Sequence, residues 1–492
     1  MANASTSLKV LSVASEMFPL IKTGGLADVV GALPSALAPL DVEVRTLLPG
    51  YPAVMAALQD AIEVCHWPRW FGGPARLLAA RHESLRLLVL DAPHLYARAG
   101  NPYLGPSGHD WPDNAERFAA LALAGAHIGW GAVEAFIPDV IHVHDWQAAL
   151  VPADLHFLGA GKRRPATVLT VHNLAFQGQF DADILDRLGL PDDAFTSDAL
   201  EYFGDVGYLK SGILLADAIT TVSPTYAHEI RTPADGMGMD AMLRWRGSAV
   251  SGIVNGIDTD IWNPATDALL AQTYDASSLT QRATNKRAIE VRFALPRDDS
   301  LLVCMITRLT TQKGIDLVID AVDDLVESGA RLVVLGSGDA PFEQALIAAA
   351  TRWPDRVGVR IGYDEGLSHL MQGGCDAILI PSRFEPCGLT QLYGLHYGCV
   401  PIVSRVGGLA DTVIDANDAA LKAGVATGIQ FADVTVDGVR DAVGRAVALF
   451  SIRGTWQRLQ TAGMQADVSW RSSAIEFAAL YRRLVLATSG RG

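Results

Sequence analysis

At 492 residues, half of them hydrophobic and 19% charged, the chain is longer than one hydrophobic core sustains and has the composition of a folded enzyme. Two domains are the default expectation, and a disordered or low-complexity protein is excluded. A formal net charge of −15 argues against nucleic acid or anionic membrane as the main partner, so a nucleotide ligand would need a local basic pocket.

Five cysteines, Cys65, Cys304, Cys375, Cys387 and Cys399, show no Cys-x-x-Cys spacing and fit neither a disulfide framework nor a zinc knuckle. The first seven residues lack the basic start and apolar core of a leader, and no apolar run reaches the roughly 18 residues of a membrane span. A cytoplasmic protein is expected, with neither nucleic acid nor membrane as partner.

Strand-like apolar runs fall at 8–14, 42–48, 85–90, 139–144, 166–171, 217–222 and 250–254, with helical patterns at 26–37, 114–135, 146–158 and 208–215. The stretch 91–113, rich in Pro and Gly, reads as a surface loop whose Tyr103, His109 and Trp111 either pack locally or stack on sugar rings. A second series of strands, 301–306, 331–335, 357–361, 376–380 and 400–403, alternates with helical stretches near 314–327, 341–351, 366–371, 388–397 and 408–415. A helix over about 471–487 closes the chain. Such alternation implies α/β architecture with parallel sheets covered on both faces. We expect two Rossmann-like domains, 1–260 and 261–470, joined around 256–290.

The chemistry-bearing residues lie where strands give way to helices, the usual ligand position in open α/β sheets. Lys22-Thr-Gly-Gly-Leu-Ala-Asp28 joins the first strand to a helix through Gly24 and Gly25, so backbone N–H groups and a helix N-terminus can meet an anion beside the Lys22 charge. Arg308 and Lys313 follow the strand at 301–306. Glu385, Cys387, Gly388, Leu389 and Thr390 follow the strand at 376–380. Cys387 reads either as a thiol near phosphate or as a small packing residue. Asp145 follows Val-Ile-His-Val-His, in which alternation puts His142 and His144 on one strand face. A metal reading of these three lacks a further ligand motif, and Asp145 is better placed to order a sugar pocket. Asp258-Thr-Asp260 is rejected as a metal site, and Asn255 either contacts a ligand or fixes an Asn-Gly turn.

Six motifs in one order, Lys22 to Asp28, Val171-His172-Asn173, Asn255-Gly256, Thr307 to Gly314, Gly362-Tyr363 and Ser382 to Thr390, closely resemble the bacterial glycogen synthases and plant starch synthases. The resemblance spans nearly the whole chain. It implies the two-Rossmann glycosyltransferase B fold with a central cleft, an acceptor side in the first domain, a donor side in the second, and a terminal helix, 471–492, returning to the first domain.

The implied activity is retaining transfer of glucose from ADP-glucose, a co-substrate, to an α-1,4-glucan such as glycogen or a maltooligosaccharide, without metal or cofactor. A catalytically weak glucan-binding or nucleotide-sugar-sensing protein of the same fold is the alternative. By resemblance, Lys22, Asp28, His172, Arg308, Lys313 and Glu385 are the catalytic group. Asp145, Asn173, Asn255, Cys387, Gly388, Leu389 and Thr390 join Gly24 and Gly25 in binding substrate, and Tyr363 stacks on the adenine. Glu385 either binds the donor sugar or acts as nucleophile. Front-face substitution assisted by the leaving phosphate is the preferred reading, with domain closure excluding water.

Overall fold

The computed structural model describes residues 7–489; residues 1–6, on which most of the leader expectation rests, and residues 490–492 lie outside them. The described chain forms two compact units, one running to Asn255 and resuming at Trp470, the other spanning Gly256–Ser469.

The first unit is built on strands β1 (Leu8–Val13), β2 (Val42–Pro49), β3 (Gln59–Trp70), β4 (Gly73–His82), β5 (Leu85–Asp91), β6 (Val140–His144), β7 (Ala166–Val171), a small sheet of β8 (Gln179–Phe180), β9 (Glu201–Tyr202) and β10 (Asp205–Gly207), then β11 (Ala218–Thr221) and β12 (Val250–Gly252). Its main sheet runs β12-β11-β7-β6-β1-β2-β5-β4-β3. Strands β6 and β7 are buried at every residue, as expected where helices cover both faces.

The sheet is not wholly parallel, which corrects the expectation from alternation. Strands β3 and β4 add antiparallel to β5. They escaped the sequence reading because three register shifts interrupt β3, between Gln59 and Ile62, Glu63 and Cys65, and Trp67 and Trp70. Each shift breaks the two-residue alternation that marks a half-buried strand. Pro152, in the first turn of a new helix, splits the expected 146–158 helix into Asp145–Ala148 and Val151–Phe157. The 114–135 helix stops at Gly129, just before Gly131 turns left-handed.

The helix Trp470–Ser489 packs Trp470, Ala474, Phe477, Ala478 and Tyr481 against Val29, Leu33 and Leu37 of the helix Gly25–Leu37 and against Val10, Val140 and Val168 of the sheet. Its Tyr481 hydroxyl lies 2.8 Å from Nδ1 of His142.

The second unit holds β13 (Leu302–Ile306), β14 (Arg331–Gly336), β15 (Val357–Ile361), β16 (Ala377–Ile380), β17 (Val400–Ser404) and β18 (Ile429–Phe431), all parallel, in the order β15-β14-β13-β16-β17-β18. The helix Ile315–Glu327 buries Ile315, Val318, Ala321, Val322 and Leu325 at helical spacing into the core of this sheet. Four helices of this unit, Arg282–Arg292, Asp418–Ala423, Val436–Ser451 and Arg453–Gln465, were not assigned from the sequence. Nor was β18, too short at three residues to show a period.

Candidate active site

In the first unit the site grows from the C-terminal ends of β1, β6 and β7. After β1 the chain folds back through the paired Met17 and Ile21, and Phe18 accepts the close approach of the following helix. A Cβ on Gly31 would stand 2.4 Å from the Phe18 carbonyl oxygen, so glycine is required there. Lys22 pairs with Asp28 at 2.9 Å and lies over the Phe18 ring at 5.4 Å. A Cβ on Gly24 would meet nothing within 4 Å, so the space in front of this helix is open.

The expected row of unoccupied N–H groups is only partly there. Glu16, which sequence reasoning missed, accepts hydrogen bonds from the Thr23 amide and, at 2.9 Å, from the Thr23 hydroxyl. The Tyr103 hydroxyl donates to the same carboxylate at 3.0 Å. Burial raises the Glu16 carboxyl above its ordinary range against the pull of the Thr23, Tyr103 and Gly24 bonds. Tyr103 is therefore committed to the base of the loop rather than to a sugar face. Trp111 likewise donates to the Asn101 carbonyl at 3.1 Å and stacks under Arg98 at 4.7 Å.

Asp145 begins its helix in the left-handed region, φ 54°, a conformation Asp tolerates better than most residues. This turns its carboxylate to accept the His172 amide at 2.6 Å. Burial lifts the Asp145 carboxyl to about 7, while the amides of His172 and Asn173 oppose the rise. Asn173 spends its side-chain oxygen on the Ala175 amide at 3.0 Å.

His142 and His144 share a face, ring centroids 4.2 Å apart, and their nitrogens are engaged by hydrogen bonds. His142 meets Tyr481 at 2.8 Å and Thr170 at 2.5 Å; His144 meets Ser12 at 3.1 Å and His172 at 3.0 Å. Burial holds His142 and His172 at about 3 and His144 well below its ordinary value, so all three rings are neutral. Asn255 is buried in irregular backbone after β12. The Asn-Gly pair makes no turn there, which removes that explanation for it.

In the second unit, Gly314 is left-handed at φ 69° and its hydrogen faces the Pro381 carbonyl, where a Cβ would come to 2.1 Å. That contact brings the loop after β13 onto the loop after β16. The Arg383 amide donates to Gln312 at 2.9 Å, and the Arg383 guanidinium grips Asp316 in two bonds of 2.8 and 2.6 Å. Lys313 Nζ meets Glu385 Oε2 at 2.5 Å, and the Ser382 hydroxyl reaches the same oxygen at 2.9 Å. Arg308 stands exposed nearby in sequence, with no hydrogen-bond or ion-pair partner for its guanidinium among the described residues.

Cys387 is buried, Gly388 is left-handed at φ 72°, and Leu389 caps the helix Thr390–Tyr397. Tyr363 is 80% exposed between Gly362 and the helix Glu365–Gly374.

A second Gly-Gly-Leu-Ala-Asp, residues 407–411, escaped the sequence reading although it repeats residues 24–28 letter for letter. The Gly408 amide donates to the Glu385 and Pro386 carbonyls, both at 3.1 Å. A Cβ on Gly407 would stand 1.9 Å from the Glu385 carbonyl. The repeat therefore supports the Glu385 turn from behind.

In the helix that follows Tyr363, His369 donates to Asp267 at 2.8 Å and stacks on Trp262 at 3.7 Å; Tyr397 adds a 2.6 Å bond to Asp267. Burial alone would depress His369, but the Asp267 and Glu365 carboxylates outweigh it and raise the imidazole to about 9. A raised base contributes stability that is complete below its unfolded value near 6.5 and is lost as pH climbs through 9. We expect the wild type to lose about 3 kcal/mol of unfolding free energy between pH 6.5 and 9.5 that a His369→Ala variant, weaker throughout, does not lose. Urea melts of both proteins at the two pH values check this.

With these geometries in view, residues 9–245 match the family described as starch synthase catalytic domain, and residues 287–435 match glycosyl transferases group 1. The two matches, one on each α/β unit, define a glycosyltransferase of the B fold. A glycogen synthase from Rhodopseudomonas palustris (strain ATCC BAA-98 / CGA009) is 58% identical over 481 residues, covering 98% of this chain and 99% of its own. One from Rhizobium leguminosarum bv. trifolii (strain WSM2304) is 56% identical over 97% and 99%. The catalytic domain of starch synthase IV from Arabidopsis thaliana, solved bound to ADP and acarbose, superposes with a TM-score of 0.87 at 32% identity, covering 97% of this chain and 99% of that one. The chain belongs to the glycogen synthase family.

Proposed function

We propose that the protein transfers glucose from ADP-glucose to the non-reducing end of an α-1,4-glucan, glycogen or a maltooligosaccharide, with retention at the anomeric carbon. The second unit serves the donor and the first the acceptor, with no metal or cofactor, in the cytoplasm. Among the described residues no helix is long and apolar enough to cross a membrane.

The observation that carries this reading is the contact of Lys313 with Glu385 beyond the ends of neighbouring parallel strands, with Arg308, unpartnered among the described residues, on the same loop as Lys313. As the glycosidic bond breaks, charge gathers on the distal phosphate of the departing ADP, and Arg308 and Lys313 stabilise it. The helix start at Gly388, Leu389 and Thr390 adds a smaller share. Glu385, anchored at one oxygen by Lys313 and Ser382, offers its other oxygen to donor-sugar hydroxyls. This anchoring suits a binding carboxylate and supports front-face substitution.

The exposed Tyr363 stacks on the adenine. His172 lends its backbone carbonyl to the developing positive charge and its ring to a sugar hydroxyl, with Asp145 and Asn173 ordering that pocket and Asn255 contacting the donor. Lys22, Asp28, Gly24 and Gly25 form the first unit's anionic-group site. A sensing protein would have little need of both Arg308 and Lys313.

The test is incorporation of glucose into glycogen from ADP-glucose and, separately, from UDP-glucose, in excess EDTA. Transfer from ADP-glucose alone is the expected result. Transfer from neither, with nucleotide sugar bound, would leave the sensing alternative; loss of activity in EDTA would overturn the metal-free mechanism.

A further inference from the structure

We propose that His144 is a positioning residue that holds His172 as its Nδ1–H tautomer, so that the ring presents a hydrogen-bond donor, not an acceptor, to the substrate. The role of the His172 ring rests on the function proposed above; its proton arrangement does not.

His144 and His172 are both neutral, so each ring carries one N–H. His144 contacts Ser12 Oγ through Nε2 at 3.1 Å and His172 Nε2 through Nδ1 at 3.0 Å. Two arrangements satisfy these contacts. In the first, Ser12 donates to His144 Nε2, His144 Nδ1–H donates to His172 Nε2, and the His172 hydrogen is left on Nδ1. In the second, every bond runs the other way, His144 Nε2–H donates to Ser12, and His172 shows a bare Nδ1.

The second arrangement strands the Ser12 hydroxyl hydrogen. Ser12 is buried, 5% exposed, in the middle of the sheet. Its hydroxyl has no partner among the described residues besides His144. A buried donor without an acceptor is disfavoured, whereas the first arrangement leaves none along the relay. The proton order therefore runs from Ser12 through His144 to His172.

His144 cannot swing to a different pairing. Its ring lies against His142 at 4.2 Å, and His142 is held on both nitrogens by Tyr481 and Thr170. Thr170 is in turn bonded to Thr220 at 2.6 Å. The His172 ring is half-buried, and its Nδ1 has no partner among the described residues, so the directed hydrogen is available to a sugar hydroxyl oxygen.

The experiment is ¹⁵N spectroscopy of the ring nitrogens in ¹⁵N-histidine-labelled full-length protein at pH 7.5, with the His172 signals assigned by their absence from a His172→Gln sample. The expected wild-type result is a protonated-type Nδ1 and an unprotonated-type Nε2 for His172. A His144→Phe variant should lose this preference and fall in kcat by about tenfold, the effect of one misdirected hydrogen bond. A His144→Gln variant, whose amide can still donate to His172 Nε2, should restore both.

A wild-type His172 protonated at Nε2 overturns the proposal even if neither variant folds. So does an unchanged tautomer in His144→Phe. Absence of glucosyl transfer by the wild type would instead remove the proposed function while leaving the tautomer result standing.

Discussion

Replacing Arg308 by Ala is expected to lower kcat for transfer from ADP-glucose by roughly 10²–10³-fold, equivalent to about 2.7–4 kcal/mol of transition-state stabilisation, while moving the unfolding free energy by no more than about 0.5 kcal/mol. The separation of the two effects follows from its surroundings. The guanidinium is exposed and has no partner among the described residues, so the fold gains nothing from it. Its value arises only when a charge develops beside it. Steady-state kinetics with denaturant melts of the same preparation check both halves, and a loss of stability matching the loss of rate would refute the assignment. Lys at this position should recover little, because a point charge does not reproduce the two-pronged grip of a guanidinium on phosphate oxygens.

Lys313→Ala should cost a comparable factor in kcat, but with a different stability signature. Lys313 and Glu385 are mostly buried, their side chains 16% and 10% exposed, and removing the ammonium leaves a carboxylate held, among the described residues, only by Ser382. Breaking such a pair from one side costs roughly 3 kcal/mol, whereas removing both charges is far milder. The double variant Lys313→Ala with Glu385→Gln should therefore regain most of the lost stability and none of the lost activity. Melting curves and initial rates for the two single variants and the double form the required cycle. Recovery of activity with stability would mean that Lys313 acts only through the fold. A glucosyl group trapped covalently on Glu385 of the wild type, and absent in Glu385→Gln, would overturn front-face substitution.

The sequence was most legible where chemistry and backbone geometry reinforce each other. Apolar runs such as 166–171 announce buried parallel strands because covered sheets admit only apolar faces, and the structure places β7 at those residues. The residues after such strands stood out as candidate ligand contacts because open α/β sheets present ligands there. Short or interrupted elements were not legible. The bulges of β3 cancel its alternation, and β18 offers three residues.

What the sequence determined by itself is local: strand and helix periods, Gly at the open turn 24–25 and at the crowded turn 314, and the order of charged residues along the chain. Tertiary structure decided the pairings, because charges distant in sequence meet only when strands are laid side by side. It is the adjacency of β13 and β16, with Gly314 pressed on the Pro381 carbonyl, that sets Lys313 on Glu385. It is likewise the adjacency of β1, β6 and β7 that lines up Ser12, His144 and His172, three residues no sequence spacing connects. Glu16 shows the same limit, since its burial beside Thr23 and Tyr103 depends on a loop about 87 residues away in sequence.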